Sequence, residues 1–376
     1  MKLKHAFELL MYRVTGGVCM MERTTEKRFG LYLVTGALGH LGNTLVRQLI
    51  DRGARVRGLV LPGDDSSALE NVPVELVQGD IRDPASLDAL FDMSDTGVSP
   101  DRTVVMHTAG IVSIASKFQQ KVVDVNVQGT RNIVDACLRT GIGRLVYTSS
   151  VHAIPELTKG KTIVELDGKI EGSFSGREVI GLYAKTKAMA TRIVLDAVPH
   201  GLDAVVVHPS GIVGPGDYGN AHMTQMVLDY MQGRLTAYVR GGYDFVDVRD
   251  VAAGMISAAE KGKSGEAYIL SNRYVDLGEL MKLLRGISGH RRVLTLLPMA
   301  LARLTAPLAE LWYKLLKQPP LFTRYSLYTL DSNAQFSHEK ATAELGYHPR
   351  PLDETLEDMV AWLRAQGRIR EPAGAS

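Results

Sequence analysis

The sequence predicts a doubly wound α/β fold, in which helices cover both faces of a parallel sheet. Three observations support this prediction. Apolar runs of strand length recur through the first half of the 376-residue chain, these runs lack the polar alternation of half-exposed strands, and helical patterns separate them. Parallel strands joined by crossover helices produce this pattern.

The elements follow in chain order. Strands are predicted at 31–36, 55–61, 72–79, 103–110, 143–150 and 203–209. Between them, apolar side chains recur at the spacing of one helix face, as at Leu41, Leu45 and Leu49. Further helices are predicted at 220–232, 250–261, 276–288, 299–317 and 353–366.

This order of elements predicts two lobes. The first holds the sheet and comprises residues 29–217, with 245–271 returning to it. The second is smaller, discontinuous and mostly helical, and comprises 218–244 and 272–366 before a tail at 367–376. Residues 1–28 are predicted to be a poorly ordered extension. Their apolar runs are short and interrupted by charged residues, unlike the continuous apolar region of a signal peptide.

Composition narrows the function classes. The chain is 45% apolar and 22% charged, and its net charge of +2 comes without a dense basic tract, so nucleic-acid binding is not expected. Two distant cysteines, Cys19 and Cys137, make neither a disulfide framework nor a zinc site, so a cytoplasmic location is expected. His107, His152 and His208 lack the spacing of metal ligands, and no metal is expected.

A glycine-rich turn follows the first predicted strand. Gly36, Gly39 and Gly42 are spaced G-x-x-G-x-x-G, and a predicted helix begins among them. Glycine allows a backbone to approach a phosphate closely, and the start of a helix directs N–H groups and a partial positive charge at an anion. Strand, turn and helix together predict a loop that binds a pyrophosphate.

Tyr183 and Lys187 lie four residues apart in a predicted helix, so they share one face. A free tyrosine has a pKa of about 10, and bringing it to about 7 takes roughly 4 kcal/mol of preferential phenolate stabilisation. A neighbouring ammonium supplies part of that stabilisation. The pair is therefore a candidate acid–base group, although the spacing alone is also that of an ordinary helix surface.

The motifs, in this order, resemble the extended branch of the short-chain dehydrogenase/reductase superfamily. The resemblance includes the glycine spacing and the signature YAKTK at 183–187. Other similar segments are QGDIRD (78–83), HTAG (107–110), NVQGT (126–130), YTSS (147–150) and HPSGIVGPGD (208–217). Segment 336–363 is similar to the tail of the branch that holds dihydroflavonol reductases and 3β-hydroxysteroid dehydrogenases.

The resemblance implies a Rossmann-type fold and hydride transfer between a nicotinamide dinucleotide and an alcohol or ketone. The family's proton-transferring tyrosine, its tuning lysine and its oxygen-holding serine correspond to Tyr183, Lys187 and Ser150, with Ser149 as the alternative serine. The implied cofactor-binding residues are Gly36, Ala37, Gly39, His40, Leu41, Gly42, Asp80, Ile81, Thr108, Ala109, Gly110, Asn126, Ser149, Tyr183, Lys187, Pro209, Gly211 and Ile212.

The positions that usually distinguish NAD from NADP carry neither the acidic residue nor the arginine that is typical there. In NAD enzymes an acidic residue at the end of the second strand binds the ribose hydroxyls, and in NADP enzymes an arginine nearby meets the 2′-phosphate. These positions fall near Val60 and Leu61. Asp64 and Asp65 follow in a turn, where they either reach the ribose or stay solvated. The missing phosphate clamp favours NAD, with NADP as the alternative.

Segment 297–330 is unusually apolar, with leucines at helical spacing that charged residues and Pro307 interrupt. It does not resemble a clean membrane-spanning helix. We expect it to pack over a substrate pocket, and peripheral contact with a membrane surface is the alternative. Either arrangement favours a bulky apolar alcohol or ketone, such as a sterol or another polycyclic compound.

Two other functions stay open. A nucleotide-sugar epimerase or dehydratase on the same fold needs basic groups for a diphosphate, and Arg240, Arg249 and Arg273 are candidates. A dinucleotide sensor without activity needs no acid, so the predicted catalytic residues disfavour it. A small-molecule substrate is expected, and whether the chain forms a homodimer stays open.

Overall fold

The computed structural model describes residues 29–114, 117–166, 172–219, 221–289, 295–304 and 323–369. The predicted extension at 1–28 lies outside the described residues. So do residues 305–322 of the predicted apolar segment and 370–376 of the predicted tail.

Seven parallel strands form the main sheet. They are β1 (Leu31–Thr35), β2 (Arg55–Val60), β3 (Glu75–Gln78), β4 (Thr103–His107), β5 (Arg144–Thr148), β6 (Ala204–Pro209) and β10 (Ala267–Leu270). Their order is β10-β6-β5-β4-β1-β2-β3, and each neighbouring pair is parallel. This is the order of a doubly wound fold, so the predicted Rossmann-type class is confirmed.

The sheet is covered on both faces because its central strands are almost entirely apolar. β1, β4, β5 and β6 are buried along their whole length. Alternate side chains enter two separate cores: Leu33 and Val105 lie in one, and Val34 and Val104 lie in the other. This alternation is the one expected of successive residues in a strand.

Helices cover the two faces of the sheet and build the second lobe. They are α1 (His40–Asp51), α2 (Asp88–Phe91), α3 (Gln120–Val123), α4 (Thr130–Thr140), α5 (Leu182–Asp196), α6 (His222–Met231), α7 (Val248–Lys261), α8 (Leu277–Ser288), α9 (Arg324–Asp331), α10 (Glu339–Leu345) and α11 (Leu352–Ala365). α1 and α7 pack together on one face, and α4 and α5 pack together on the other. A π-helical turn, Asp124–Gly129, joins α3 to α4.

Two small sheets accompany the second lobe. β7 (Gly211–Val213), β9 (Gly242–Asp247) and β11 (Arg273–Asp276) form one, and β8 (Ala237–Val239) and β12 (Thr295–Leu297) form the other. Of the segments predicted to return to the main sheet, 267–271 supplies β10. Residues 245–247 pair with β7 and β11 instead, and the chain rejoins the helical layer of the first lobe at α7.

The described ends of the apolar segment 297–330 differ in burial. Leu301 and Leu304 are exposed, whereas Tyr325 and Leu327 are buried. In the part of the chain that the structure describes, no helix has the length and apolar composition to cross a membrane.

Candidate active site

The predicted site residues gather at the carboxyl edge of the main sheet, where doubly wound folds bind their ligands. Gly36 to Gly42 follow β1, Asp80 and Ile81 follow β3, and Thr108 to Gly110 follow β4. Ser149 and Ser150 follow β5, and Pro209, Gly211 and Ile212 lie where β6 passes into β7. Asn126 lies in the π-helical turn, and α5 carries Tyr183 and Lys187.

The glycine turn leaves a loop without side chains at the start of α1. Gly36 has a φ of +70°, and a Cβ there would lie 2.9 Å from the Ala109 backbone. A Cβ on Gly42 would overlap the Gly36 carbonyl. Gly39 occupies the N-cap position of α1 and has no side chain with which to cap the helix. The residues present therefore fit the pyrophosphate of a dinucleotide.

Tyr183 and Ser150 meet at the carboxyl end of β5. Both are buried, with 9% and 6% of their surface exposed, and the Ser150 hydroxyl lies beside the phenol, whose pKa it lowers. The Ser150 Oγ also accepts a hydrogen bond of 3.2 Å from the His152 N–H in the short turn that follows. This turn holds the serine hydroxyl beside the phenol.

Lys187 lies one turn after Tyr183 and is also buried. Its Nζ donates a 2.7 Å hydrogen bond to the Thr148 carbonyl and lies 5.1 Å from the centre of the Tyr147 ring. Burial lowers the pKa of Lys187 to about 7, because the ammonium loses its hydration. The lysine is therefore close to its titration point at neutral pH.

The pKa of Tyr183 differs from the sequence-based expectation. That expectation is a pKa lowered by the neighbouring cation. Burial raises the pKa of Tyr183 to about 12, and the Ser150 hydrogen bond offsets part of that rise. Desolvation disfavours the charged form of each partner, so the buried pair does not produce a phenolate in the chain alone. Tyr183 is a protonated acid at neutral pH.

The two adjacent serines point in different directions. Ser149 Oγ lies 2.6 Å from the Thr191 hydroxyl, which in turn donates to the Lys187 carbonyl at 2.8 Å. Ser149 therefore contacts the inner face of α5, and of the two serines it is Ser150 whose hydroxyl lowers the pKa of Tyr183.

Asn126 ties the loop after β4 to α5. Its Oδ1 accepts a 2.7 Å hydrogen bond from the Ile111 N–H, and its Nδ2 donates to the Ile111 carbonyl and to the Thr186 hydroxyl. A Cβ on Gly110 would lie 3.3 Å from both Asn126 Oδ1 and Lys187 Nζ. Gly110, Asn126 and Lys187 thus converge on one side of the site.

The acids and arginines near the expected adenosine site are engaged with one another. Arg82 binds both carboxylate oxygens of Asp80, which holds the pKa of Asp80 below its usual value. Arg57 is buried and forms an ion pair of 2.8 Å with Glu75. Asp80 would have to share its carboxylate with Arg82 to accept from an adenine amine.

The contacts described for the candidate diphosphate-binding arginines are with residues other than Tyr183. Arg249 forms 2.6 Å ion pairs with Asp247 and Asp358, and Asp247 caps α7. Arg273 pairs with Glu279 at 2.9 Å, and Arg240 is exposed.

Three residues that the sequence analysis did not place in the site surround Tyr183. The ring of His152 lies 6.0 Å from the Tyr183 ring, 5.4 Å from the Tyr243 ring and 6.3 Å from the Tyr325 ring, between centroids. Tyr243 and Tyr325 are far from His152 in the chain and belong to the second lobe. No local pattern signals such contacts, and His152 was considered only as a metal ligand.

Residues 32–271 match the model of the NAD dependent epimerase/dehydratase family. The chain belongs to this family. The match covers more than half of the chain and confirms the resemblance to the extended short-chain dehydrogenase/reductase superfamily.

Relatives align with the chain over nearly their whole length. Sterol demethylase protein B from Methylococcus capsulatus is 35% identical over 343 residues, which cover 90% of this chain and 99% of the relative. The 3 beta-hydroxysteroid dehydrogenase type 7 from Mus musculus is 32% identical, with coverage of 89% and 96%. The crystal structure of gox2253 superposes with a TM-score of 0.76 at 34% identity, covering 91% of this chain and 100% of that one.

Membership of the NAD dependent epimerase/dehydratase family confirms two predictions. The protein is a nicotinamide-dependent enzyme of the extended short-chain type, and NAD is the cofactor for which its family is named. Among the described residues, no group of three or more His, Cys, Asp or Glu side chains is arranged to hold a metal ion.

Proposed function

We propose that this enzyme transfers a hydride between the nicotinamide and a secondary alcohol or ketone of a bulky, apolar, sterol-like substrate. The observation that carries the proposal is the placement of the Ser150 hydroxyl beside the buried phenol of Tyr183, next to the buried Lys187 and the glycine loop. A proton donor, an oxygen-holding hydroxyl and a dinucleotide loop are the parts that carbonyl reduction requires.

In this mechanism Tyr183 moves the proton and Ser150 holds the substrate oxygen. When bound, NAD accepts or donates the hydride at its nicotinamide ring. In the reducing direction the protonated phenol of Tyr183 donates to the oxygen that becomes the alcohol. In the oxidising direction Tyr183 must take that proton, so the reaction first requires that the phenol ionises.

Lys187 is proposed to assist that ionisation and to contact the cofactor ribose. The Thr148 carbonyl fixes its Nζ at 2.7 Å, and Asn126 and Gly110 lie on its other side. A fixed ammonium one helical turn from the phenol favours the phenolate, and the positive charge of oxidised nicotinamide adds to that effect. The carbonyl hydrogen bond keeps the amine in place through the catalytic cycle.

Two observations support an apolar, sterol-like substrate. Relatives at 35% and 32% identity carry names that refer to a sterol and a hydroxysteroid. In addition, Arg249 and Arg273 are paired with carboxylates, which removes two candidates for binding a sugar diphosphate. Peripheral membrane contact through 297–330 stays the alternative prediction for the apolar segment, and whether the chain forms a homodimer stays open.

A nucleotide-sugar epimerase or dehydratase is the alternative function, because the family is named for both activities. Such an enzyme returns the hydride to its substrate, so it produces no net NADH. This difference separates the two proposals experimentally.

The test is a panel of 3β-hydroxysterols, ketosteroids, flavonoids, aldehydes and nucleotide sugars with NAD or NADH, monitored by nicotinamide absorbance and by product chromatography. We expect turnover of a hydroxysterol or ketosteroid with matching production or consumption of NADH, and none with the Tyr183→Phe variant. Conversion of a nucleotide sugar without net NADH, and no reaction with any polycyclic alcohol or ketone, would establish the alternative.

A further inference from the structure

His152 contacts both residues that are proposed to handle the substrate oxygen. It lies in the short turn Val151–Ala153, and its backbone N–H donates to Ser150 Oγ at 3.2 Å. Its imidazole packs against the Tyr183 ring at an interplanar angle of 74°. This one residue therefore contacts the serine through its backbone and the phenol through its imidazole.

Tyr243 determines that orientation. Its hydroxyl lies 2.8 Å from His152 Nε2, and the two rings are nearly parallel, with an interplanar angle of 18°. Tyr243 is itself confined, since it is buried on β9 and a Cβ on Gly211 of β7 would lie 3.0 Å from its ring. The His152–Tyr243 pair joins the turn after β5 to the three-stranded sheet of β7, β9 and β11.

We propose that the His152–Tyr243 pair is a positioning device for proton transfer, which holds the Tyr183 ring where its hydroxyl meets Ser150. This proposal rests on the proposed function. Without the Tyr243 hydroxyl, the half-buried imidazole would lose the partner of its Nε2 and would rotate to seek another one. The edge contact with Tyr183 would change, and the Tyr183 hydroxyl would move relative to Ser150.

The imidazole acts here through its shape and its hydrogen bond. Burial lowers the pKa of His152 to about 4, so the ring is neutral at the pH at which the enzyme would work. Tyr243 is also protonated, because burial raises its pKa well above the ordinary value. His152 and Tyr243 are therefore positioning residues, and neither transfers the proton.

The test uses Tyr243→Phe, His152→Phe and the double variant. Each substitution keeps a ring and removes one partner of the hydrogen bond. We expect each single variant to lower kcat about tenfold with the KM for the alcohol and the Kd for NAD within twofold, and the double variant to be no slower than either single one. The solvent deuterium isotope effect on kcat should rise, because proton transfer is the step that is impaired.

Tyr268→Phe is the matched control, because this buried tyrosine of β10 donates its hydroxyl to Glu344, away from Tyr183. It should lower the unfolding temperature and leave kcat unchanged. A Tyr243→Phe enzyme within twofold of the wild-type kcat would overturn the proposal. So would losses that multiply in the double variant, or a change in the KM for the alcohol alone.

A second readout requires no turnover, so it separates this proposal from the proposed function. The Tyr183 phenol is titrated in the presence of NAD by tyrosinate absorbance, as the difference between each enzyme and its Tyr183→Phe form. Because the neighbouring Ser150 hydroxyl lowers the pKa of Tyr183, the phenol should titrate at higher pH when His152→Phe lets the ring move away from Ser150. An unchanged titration overturns the positioning role, whereas the absence of alcohol oxidation by the wild type counts against the proposed function alone.

Discussion

Burial acts in opposite directions on the two side chains at the centre of the site. It raises the pKa of Tyr183 to about 12 and lowers that of Lys187 to about 7. The spacing of the pair in the sequence predicts that they share a helix face, but not that both are buried. Without the dinucleotide, desolvation outweighs the attraction between phenolate and ammonium. The cofactor would supply part of the positive charge that oxidation requires.

The lowered pKa of Lys187 predicts a pH-dependent stability. Between pH of about 7 and 10.5 the unfolded chain holds a proton on this lysine that the folded chain has released. Folding stability from this residue therefore rises with pH across that window. Relative to Lys187→Met, the wild-type unfolding temperature should rise from about pH 7 to about pH 9 in calorimetry. A difference between the two proteins that stays constant over this range would contradict the assignment.

At the scale of elements, substitutions in the glycine loop can distinguish an effect on NAD binding from an effect on folding stability. Gly39 has an extended backbone, with φ of −67° and ψ of 162°, and a Cβ there would lie 3.3 Å from the Gly36 carbonyl oxygen. A side chain at Gly39 therefore requires only a small adjustment of the backbone, at the start of the helix where a pyrophosphate would approach. At Gly42 the same atom overlaps the backbone.

We predict that Gly39→Val weakens NAD binding tenfold or more, equivalent to about 1.4 kcal/mol, with little change in the unfolding temperature of the chain alone. Calorimetric titration measures the affinity. Gly42→Ala is the comparison, and it should lower the unfolding temperature itself. If Gly39→Val bound NAD as tightly as the wild type, the loop would not hold the pyrophosphate.

The residues at the end of β2 influence the preference between NAD and NADP. β2 ends at Val60, and both arginines that could meet a 2′-phosphate, Arg57 and Arg82, are paired with carboxylates. We therefore predict a modest preference for NAD over NADP in kcat/KM, since neither a ribose-binding acid nor a phosphate clamp ends the strand. A strong preference for NADP, measured with the same alcohol, would show that an arginine leaves its partner on binding.

The sequence predicts the order of the elements well because strands, crossovers and turns have local patterns. It misplaces ends where tertiary contacts decide them. The predicted strand 103–110 ends at His107, since Thr108 and Ala109 hydrogen-bond to Thr35 and turn toward the glycine loop. The aromatic contacts of His152 beside Tyr183 could not be predicted, because Tyr243 and Tyr325 reach His152 only through the packing of the second lobe.

At the scale of the whole molecule, side-chain hydrogen bonds connect the second lobe to segments of the first lobe near the site. The Thr323 hydroxyl at the start of α9 donates to the Ile114 carbonyl, and Tyr328 donates to Glu156. α9 thereby holds Tyr325 against Gly181, where a Cβ would overlap the tyrosine ring. This packing places α9 of the second lobe against the start of α5, two residues before Tyr183.

The most direct test of the proposed mechanism is the pH–rate profile of Tyr183→Phe with NAD and the best alcohol of the panel. The variant keeps the ring and its packing but has no transferable proton. It should bind NAD nearly normally and lose kcat by about 10²–10⁴. Ser150→Ala should lose less, and Ser149→Ala less still, because the Ser149 hydroxyl contacts Thr191. Lys187→Ala should lose kcat, bind NAD more weakly and require higher pH. A Tyr183→Phe enzyme within threefold of the wild-type kcat would contradict the mechanism.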